Sequence, residues 1–162
     1  MESLKDIYRS IVEPHLNYCC SVWGCSGTTR IESLQKLQNR AARIVTGSSY
    51  DAPSVPLRKE LGWLSVKEMI VKETSTMMYK SLNDLAPQYL SDLFVRLSDF
   101  HTRELRNTKN DLAVPLMRTV SGQKAFSYRG TKVWNKFNNN IKEAPSVYSF
   151  KSRLRQLGYE NL

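Results

Sequence analysis

Residues 29–47 read TRIESLQKLQNRAARIVTG, and the spacing within them decides the fold class. Ile31, Leu34, Leu37, Ala41, Ile44 and Val45 recur at helical intervals and make one apolar stripe. Lys36, Arg40 and Arg43 fall at i, i+4 and i+7, so they line a separate face of the same helix. Thr29 is placed to cap the helix, with Glu32 as its capping-box partner, and Gly47 suits the C-cap. The spacing predicts a helix over residues 30–46.

The same chemistry extends in both directions. Upstream, Leu4, Ile7, Tyr8 and Ile11 keep helical spacing until Pro14, which ends or restarts that helix. A second apolar segment over 16–23 stops at Gly24, and residues 26–29 read as a loop. Downstream, 50–56 carries two prolines and reads as a linker. Ser65 and Glu68 form a second capping box, stapled by Leu64 and Met69. The helix it opens should run to about Leu82 and bury Val66, Met69, Ile70, Met77 and Met78. Pro87 sits where a helix-starting proline belongs, before the apolar Leu90, Leu93, Phe94 and Leu97. Residues 99–120 show no helical period; the alternation over 112–115 suggests a loop with one short extended piece. Phe126, Gly130, Val133, Trp134, Phe137 and Ile141 return to helical spacing, with Ser121 as the candidate cap and Asn138, Asn139 and Asn140 as the stop. A last helix holds Phe150, Leu154 and Leu157 and closes at Gly158. The expectation is a mainly α fold: a bundle of about six helices, one irregular loop region and at most one short strand pair.

A chain of 162 residues suits one modest domain, with a helical part over 1–98 and a basic carboxyl-terminal part over 99–162. No run of about 18 apolar residues exists, so no membrane span or membrane partner is expected. No secretory signal is legible, and the odd cysteine count of three fits a reducing, intracellular compartment, cytoplasmic or nuclear. The net charge of +9 is uneven. Residues 29–50 carry four basic and one acidic side chain, and residues 96–162 carry thirteen basic and five acidic. Clustered positive charge favours a polyanionic partner, because each neutralised phosphate releases condensed counterions. A solvated face that merely aids solubility is the plainer alternative.

Five stretches in order also resemble a known family: IVEPHLNYCCSVWG (11–24), LQKLQNRAARIVTG (34–47), LGWLSVKE (61–68), YKSLNDLAPQYLSDLF (79–94), and the end of the chain. That end reads LAVPLMRT (112–119), AFSYRGTKVWNKFNNNI (125–141) and SFKSRLRQL (149–157). Together they are similar to the carboxyl-terminal, thumb and post-thumb region of reverse transcriptases from LINE-type, non-LTR, jockey-like retrotransposons. The resemblance covers about residues 4–157 and implies a helical module, thumb-like over 1–98, that grips template–primer. The polymerase palm would then belong to a longer chain.

Catalytic chemistry finds little support. Two-metal phosphoryl transfer needs clustered carboxylates holding ions about 3.5–4 Å apart. No adjacent Asp pair occurs here, so no polymerase activity and no cofactor are expected. Cys19, Cys20 and Cys25 lie near His15 but lack Cys-x₂-Cys spacing, and buried thiols are the better reading. His101 stands alone in a polar segment. Neither histidine has a legible nucleophile partner. The candidate site is therefore a binding surface: Lys36, Arg40 and Arg43 on one helix, with Arg103, Arg106, Arg118, Lys124, Arg129 and Lys132 as a second set. RNA or an RNA–DNA hybrid is the expected partner. Trp134 reads as core beside Phe137, while Tyr128 is open between packing and stacking on a base. The alternative is a helical protein–protein interaction module, whose groove would use Met69, Met77, Met78 and residues 85–94.

Overall fold

A computed structural model describes residues 2–99 and 110–159. The chain is mainly α, as its periodicity predicts, and it packs as two compact units, Met1–Ile70 and Val71–Leu162. Six helical stretches of eight residues or more stand among the described residues, counting 2–17 as one run, and shorter helical turns stand between some of them. The expected strand pair reduces to one antiparallel bridge between Arg96 and Leu112.

In the first unit, α1 (Glu2–Ile7) continues through a π-helical turn (Tyr8–Val12) into α2 (Glu13–Asn17). Pro14 has no N–H to donate, and the wide turn just before it takes up the mismatch: Glu13 N–H reaches back five residues to the Tyr8 carbonyl. Pro14 thus restarts the helix. Cys19, in the left-handed region at φ 50°, separates this run from α3 (Cys20–Trp23). Gly24 follows because nothing larger fits; a Cβ there would lie 2.4 Å from the Cys20 carbonyl oxygen and 2.6 Å from Ile70 Cγ2.

The long α4 (Thr28–Thr46) ends at Gly47 with φ 67°, as expected. Its start differs. The helix begins two residues early, behind Gly27 and without a side-chain cap, so the Thr29–Glu32 capping box does not form. Ser33 Oγ instead donates to the Thr29 carbonyl at 2.9 Å. The buried face is also rotated from the expected stripe. Ile31, Gln38, Ala42 and Val45 are buried, whereas Leu37 and Ile44 are 64% and 61% exposed. Gln38 takes the central buried position because its amide is satisfied there.

The 50–56 linker is shorter than expected, since α5 (Ser54–Leu61) already begins inside it. Leu57, Leu61 and Trp63 pack on Ala42 and Val45 of α4. The capping box at Ser65 forms as predicted: Glu68 Oε2 accepts from Ser65 N–H at 2.6 Å, and Ser65 Oγ accepts from Glu68 N–H at 3.3 Å. It opens α6 (Val66–Leu82), whose Val66, Met69 and Ile70 join Cys20 and Ile31 in the main cluster of the first unit.

The second unit takes the rest of α6, then α7 (Gln88–Ser91) and a 3₁₀ turn (Leu97–Asp99). Past the bridge, α8 (Val120–Gln123) is capped by Thr119, whose Oγ1 accepts from Gly122 N–H at 3.0 Å. Ser121, the expected cap, lies inside that turn. The helix expected to run through Ile141 is two helices, α9 (Phe126–Asn135) and α10 (Asn139–Lys142), because Asn138 caps the second by accepting from Ile141 N–H. The final helix, α11 (Val147–Leu157), is capped by Ser146. Phe150 and Leu154 are fully buried, but Leu157 is 39% exposed. The core is aromatic: Tyr79 stacks on Phe150 at 4.6 Å, and Trp134 and Phe137 close around the same ring at 6.2 and 6.1 Å.

Candidate nucleic-acid interface

The inner face of α4 is a polar network. Gln38 Nε2 donates to the Tyr8 hydroxyl at 3.0 Å and to the Leu64 carbonyl at 2.8 Å. Gln35 Nε2 donates to Gln38 Oε1 and Asn39 Oδ1, each at 2.8 Å, while Gln35 Oε1 accepts from Val66 N–H at 2.9 Å. The Leu-Gln-Lys-x-Gln-Asn run therefore holds the first helical run and the start of α6 against α4. Its glutamines are structural, since a buried amide must be hydrogen-bonded. Tyr8, stacked on Trp63 with ring centroids 3.6 Å apart, has its hydroxyl pKa raised by burial.

That arrangement turns Lys36 and Arg40 outward, both exposed. Arg43 differs from them. It is half-buried, its Nε donates to the Ala52 carbonyl at 2.9 Å, and its guanidinium lies 6.0 Å from the Tyr50 ring centroid. Arg43 fastens the α4–α5 loop as well as facing solvent. Exposed Leu37 and Ile44 stand on the neighbouring strip, so the outer face of α4 mixes positive charge with apolar surface.

Of the second basic set, Arg103 and Arg106 lie outside the described residues, as does His101. Arg118 and Lys124 are exposed. Arg129 Nε donates to the Lys124 carbonyl at 3.0 Å, and Lys132 sits over the Tyr128 ring at 4.7 Å, which gives Tyr128 a cation–π partner. Residues 110–159 hold nine basic and two acidic side chains. Both acids are engaged: Asp111 pairs with buried Lys142, and Glu143 accepts from Asn110 Nδ2 at 2.8 Å. The reading of Trp134 as core holds at 3% exposure. Sequence reasoning passed over Tyr148, Lys151 and Arg155, whose i, i+3, i+7 spacing places them along one side of α11.

Other chemistry is sparse. Only Cys20 is buried as expected; Cys19 is exposed and Cys25 half-buried. No cluster of three or more His, Cys, Asp or Glu able to hold a metal stands among the described residues. Nor is any described helix long and apolar enough to cross a membrane. A cleft of about 430 Å³ is lined by Asp111, Asn135, Phe137, Asn138, Asn139 and Lys142, but its one cation is already paired. Met69 and Met78 are buried, so neither supplies the exposed groove of the interaction-module reading.

Part of the chain is similar in sequence to transposon-encoded RNA-directed DNA polymerases. One relative is a probable RNA-directed DNA polymerase from transposon X-element of Drosophila melanogaster, 32% identical over 69 residues, which are 43% of this chain and 8% of that polymerase. Another, from transposon BS of the same organism, is 29% identical over 75 residues, 46% of this chain and 8% of that protein. The chain thus spans a small fraction of each relative's length. No protein-family profile matches it. No solved structure matches it either.

Proposed function

We propose that this chain is a non-catalytic, nucleic-acid-binding piece of a retrotransposon RNA-directed DNA polymerase of the jockey-like, non-LTR group. It corresponds to the thumb and post-thumb region and binds RNA or an RNA–DNA hybrid. The palm that performs phosphoryl transfer belongs to a longer chain. Similarity to two transposon polymerases supports the origin. The observation that carries the binding is the charge of residues 110–159, where nine bases face two acids that are both engaged. On α4, Lys36 and Arg40 add exposed positive charge.

The test is binding of the folded chain to a labelled RNA–DNA hybrid at about 50 and 200 mM salt. Three phosphate contacts would weaken affinity roughly 40-fold across that range. A folded chain that does not bind at the lower salt overturns the proposal. A second reading, a helical protein-interaction module derived from such an element, rests on the outward Leu4, Ile7 and Ile11, which are 43%, 51% and 59% exposed along the first helical run. It gains if the folded chain ignores the hybrid.

A further inference from the structure

We infer that the outer side of α11 is a platform for single-stranded nucleic acid, with a base stacked on Tyr148 and the adjoining phosphates on Lys151 and Arg155. The inference rests on the nucleic-acid reading above and names a contact which that reading does not contain. Tyr148 is 85% exposed, in the first turn of α11. Lys151 follows at i+3 and Arg155 at i+7, so the ring and the two cations lie on one side of the helix. The side chains of the three make no hydrogen bond, ion pair or ring contact with a described residue. The helix beneath them is fixed, because Phe150 and Leu154 anchor its buried side at zero exposure and Ser146 caps it.

Tyr18, Tyr50 and Tyr89 are also exposed, and Tyr128 is half-buried. Tyr50 and Tyr128 already hold Arg43 and Lys132 over their rings. Tyr89 has Asp92 at i+3, which would repel a phosphate, and Tyr18 has the uncharged Ser21 there. Tyr148 alone of these combines a ring free of protein contacts with cations at both helical offsets. Arg155 also suits the negative end of its helix, so its position has a second account. Tyr148 has none; an aromatic ring left in water on a rigid helix, beside cations, is the arrangement that single-strand binders use to stack bases without reading sequence.

The test uses the full chain with fluorescein-labelled oligo(U) RNA of about 15 nucleotides, and a hybrid duplex of similar length. Tyr148→Ala should weaken single-strand binding about 10-fold with an unchanged salt slope, and Tyr148→Phe should restore it, since the ring and not the hydroxyl stacks. Lys151→Gln with Arg155→Gln should lower the single-strand salt slope by about 1.4. Duplex binding should be untouched by Tyr148→Ala, because paired bases offer no free face. Unchanged oligo(U) affinity in Tyr148→Ala, with hybrid binding intact, overturns this platform and leaves the broader proposal standing. Equal losses on oligo(U) and duplex overturn the stacking role. A wild-type chain that binds neither probe overturns both. Circular dichroism confirms that each variant is folded, the expected result because Tyr148 and Arg155 are exposed and Lys151 is only half-buried.

Discussion

Tyr8 is only 3% exposed, and its hydroxyl accepts from a glutamine that is itself buried. Burial pushes its pKa above the ordinary 10.0; the Gln38 hydrogen bond works against that shift, and the Glu13 charge adds to it. The consequence for stability follows from linkage. Below the ordinary value both folded and unfolded chains keep the proton, so the packing of Tyr8 is fully in force. Above it, the unfolded chain loses the proton more readily than the folded one, and stability falls as pH rises toward the folded pKa. The urea midpoint of the wild type should therefore drop between about pH 8 and pH 11 by more than that of Tyr8→Phe, which has no proton to lose. At the lower pH the variant should be less stable by roughly 1 kcal/mol, for the lost hydrogen bond from Gln38. Equal pH dependence in the two proteins would refute the buried phenol as the source. Nothing in the sequence marked Tyr8 for this role beyond its apolar spacing, because the partner that buries it, Trp63, lies far along the chain.

At the scale of elements, the Trp-Asn pair of α9 turns out to be a clamp. Trp134 Nε1 donates to the Asn110 carbonyl at 3.0 Å. The Asn135 side chain accepts from Leu112 N–H and donates to the Leu112 carbonyl, both at 2.9 Å. One side-chain amide thus replaces the strand that residues 110–112 lack on that side, while Leu112 itself is 2% exposed. Asn135→Ala should cost about 2–4 kcal/mol, since two buried backbone groups lose their partners, and hydrogen exchange at Leu112 should accelerate. Unchanged exchange would show that the strip is held by the Val95 and Asp111 backbone bonds alone. Helices of strong period were legible in advance, as were the caps at Gly47 and Ser65, because their causes are local. The burial of α4 was not. A stripe count treats Gln38 as surface, but two partners distant in sequence make it core and leave Leu37 and Ile44 outside. Asn138 lies past the end of α9 at Asn135 and begins α10, so the expected stop is a start.

The whole molecule carries +9, and its excess is divided between α4 and the carboxyl-terminal region, which compositional counting located in advance. Composition could not tell which cations are spent on structure. Lys142 is 6% exposed and bound to Asp111, and Arg43 is tied to the Ala52 carbonyl, whereas Lys36 and Arg40 are exposed. The members of the α4 stripe should therefore separate in experiment. Lys36→Ala with Arg40→Ala should leave thermal stability nearly unchanged, as exposed charges contribute little to folding. It should lower the salt slope of hybrid binding by about 1.8, or roughly 0.9 per lost phosphate contact. The loss should be the same for hybrids of different sequence, because phosphate contacts carry no sequence information. Arg43→Ala should show the opposite balance: a stability loss of about 1 kcal/mol from freeing the 48–53 loop, with a smaller change in slope. If Arg43→Ala instead flattens the salt dependence as much as the double variant and leaves stability intact, its guanidinium faces the ligand and the loop contact is incidental. If the double variant binds like wild type at both salt concentrations, α4 lies outside the interface, and the positive charge of residues 110–159 must account for binding alone.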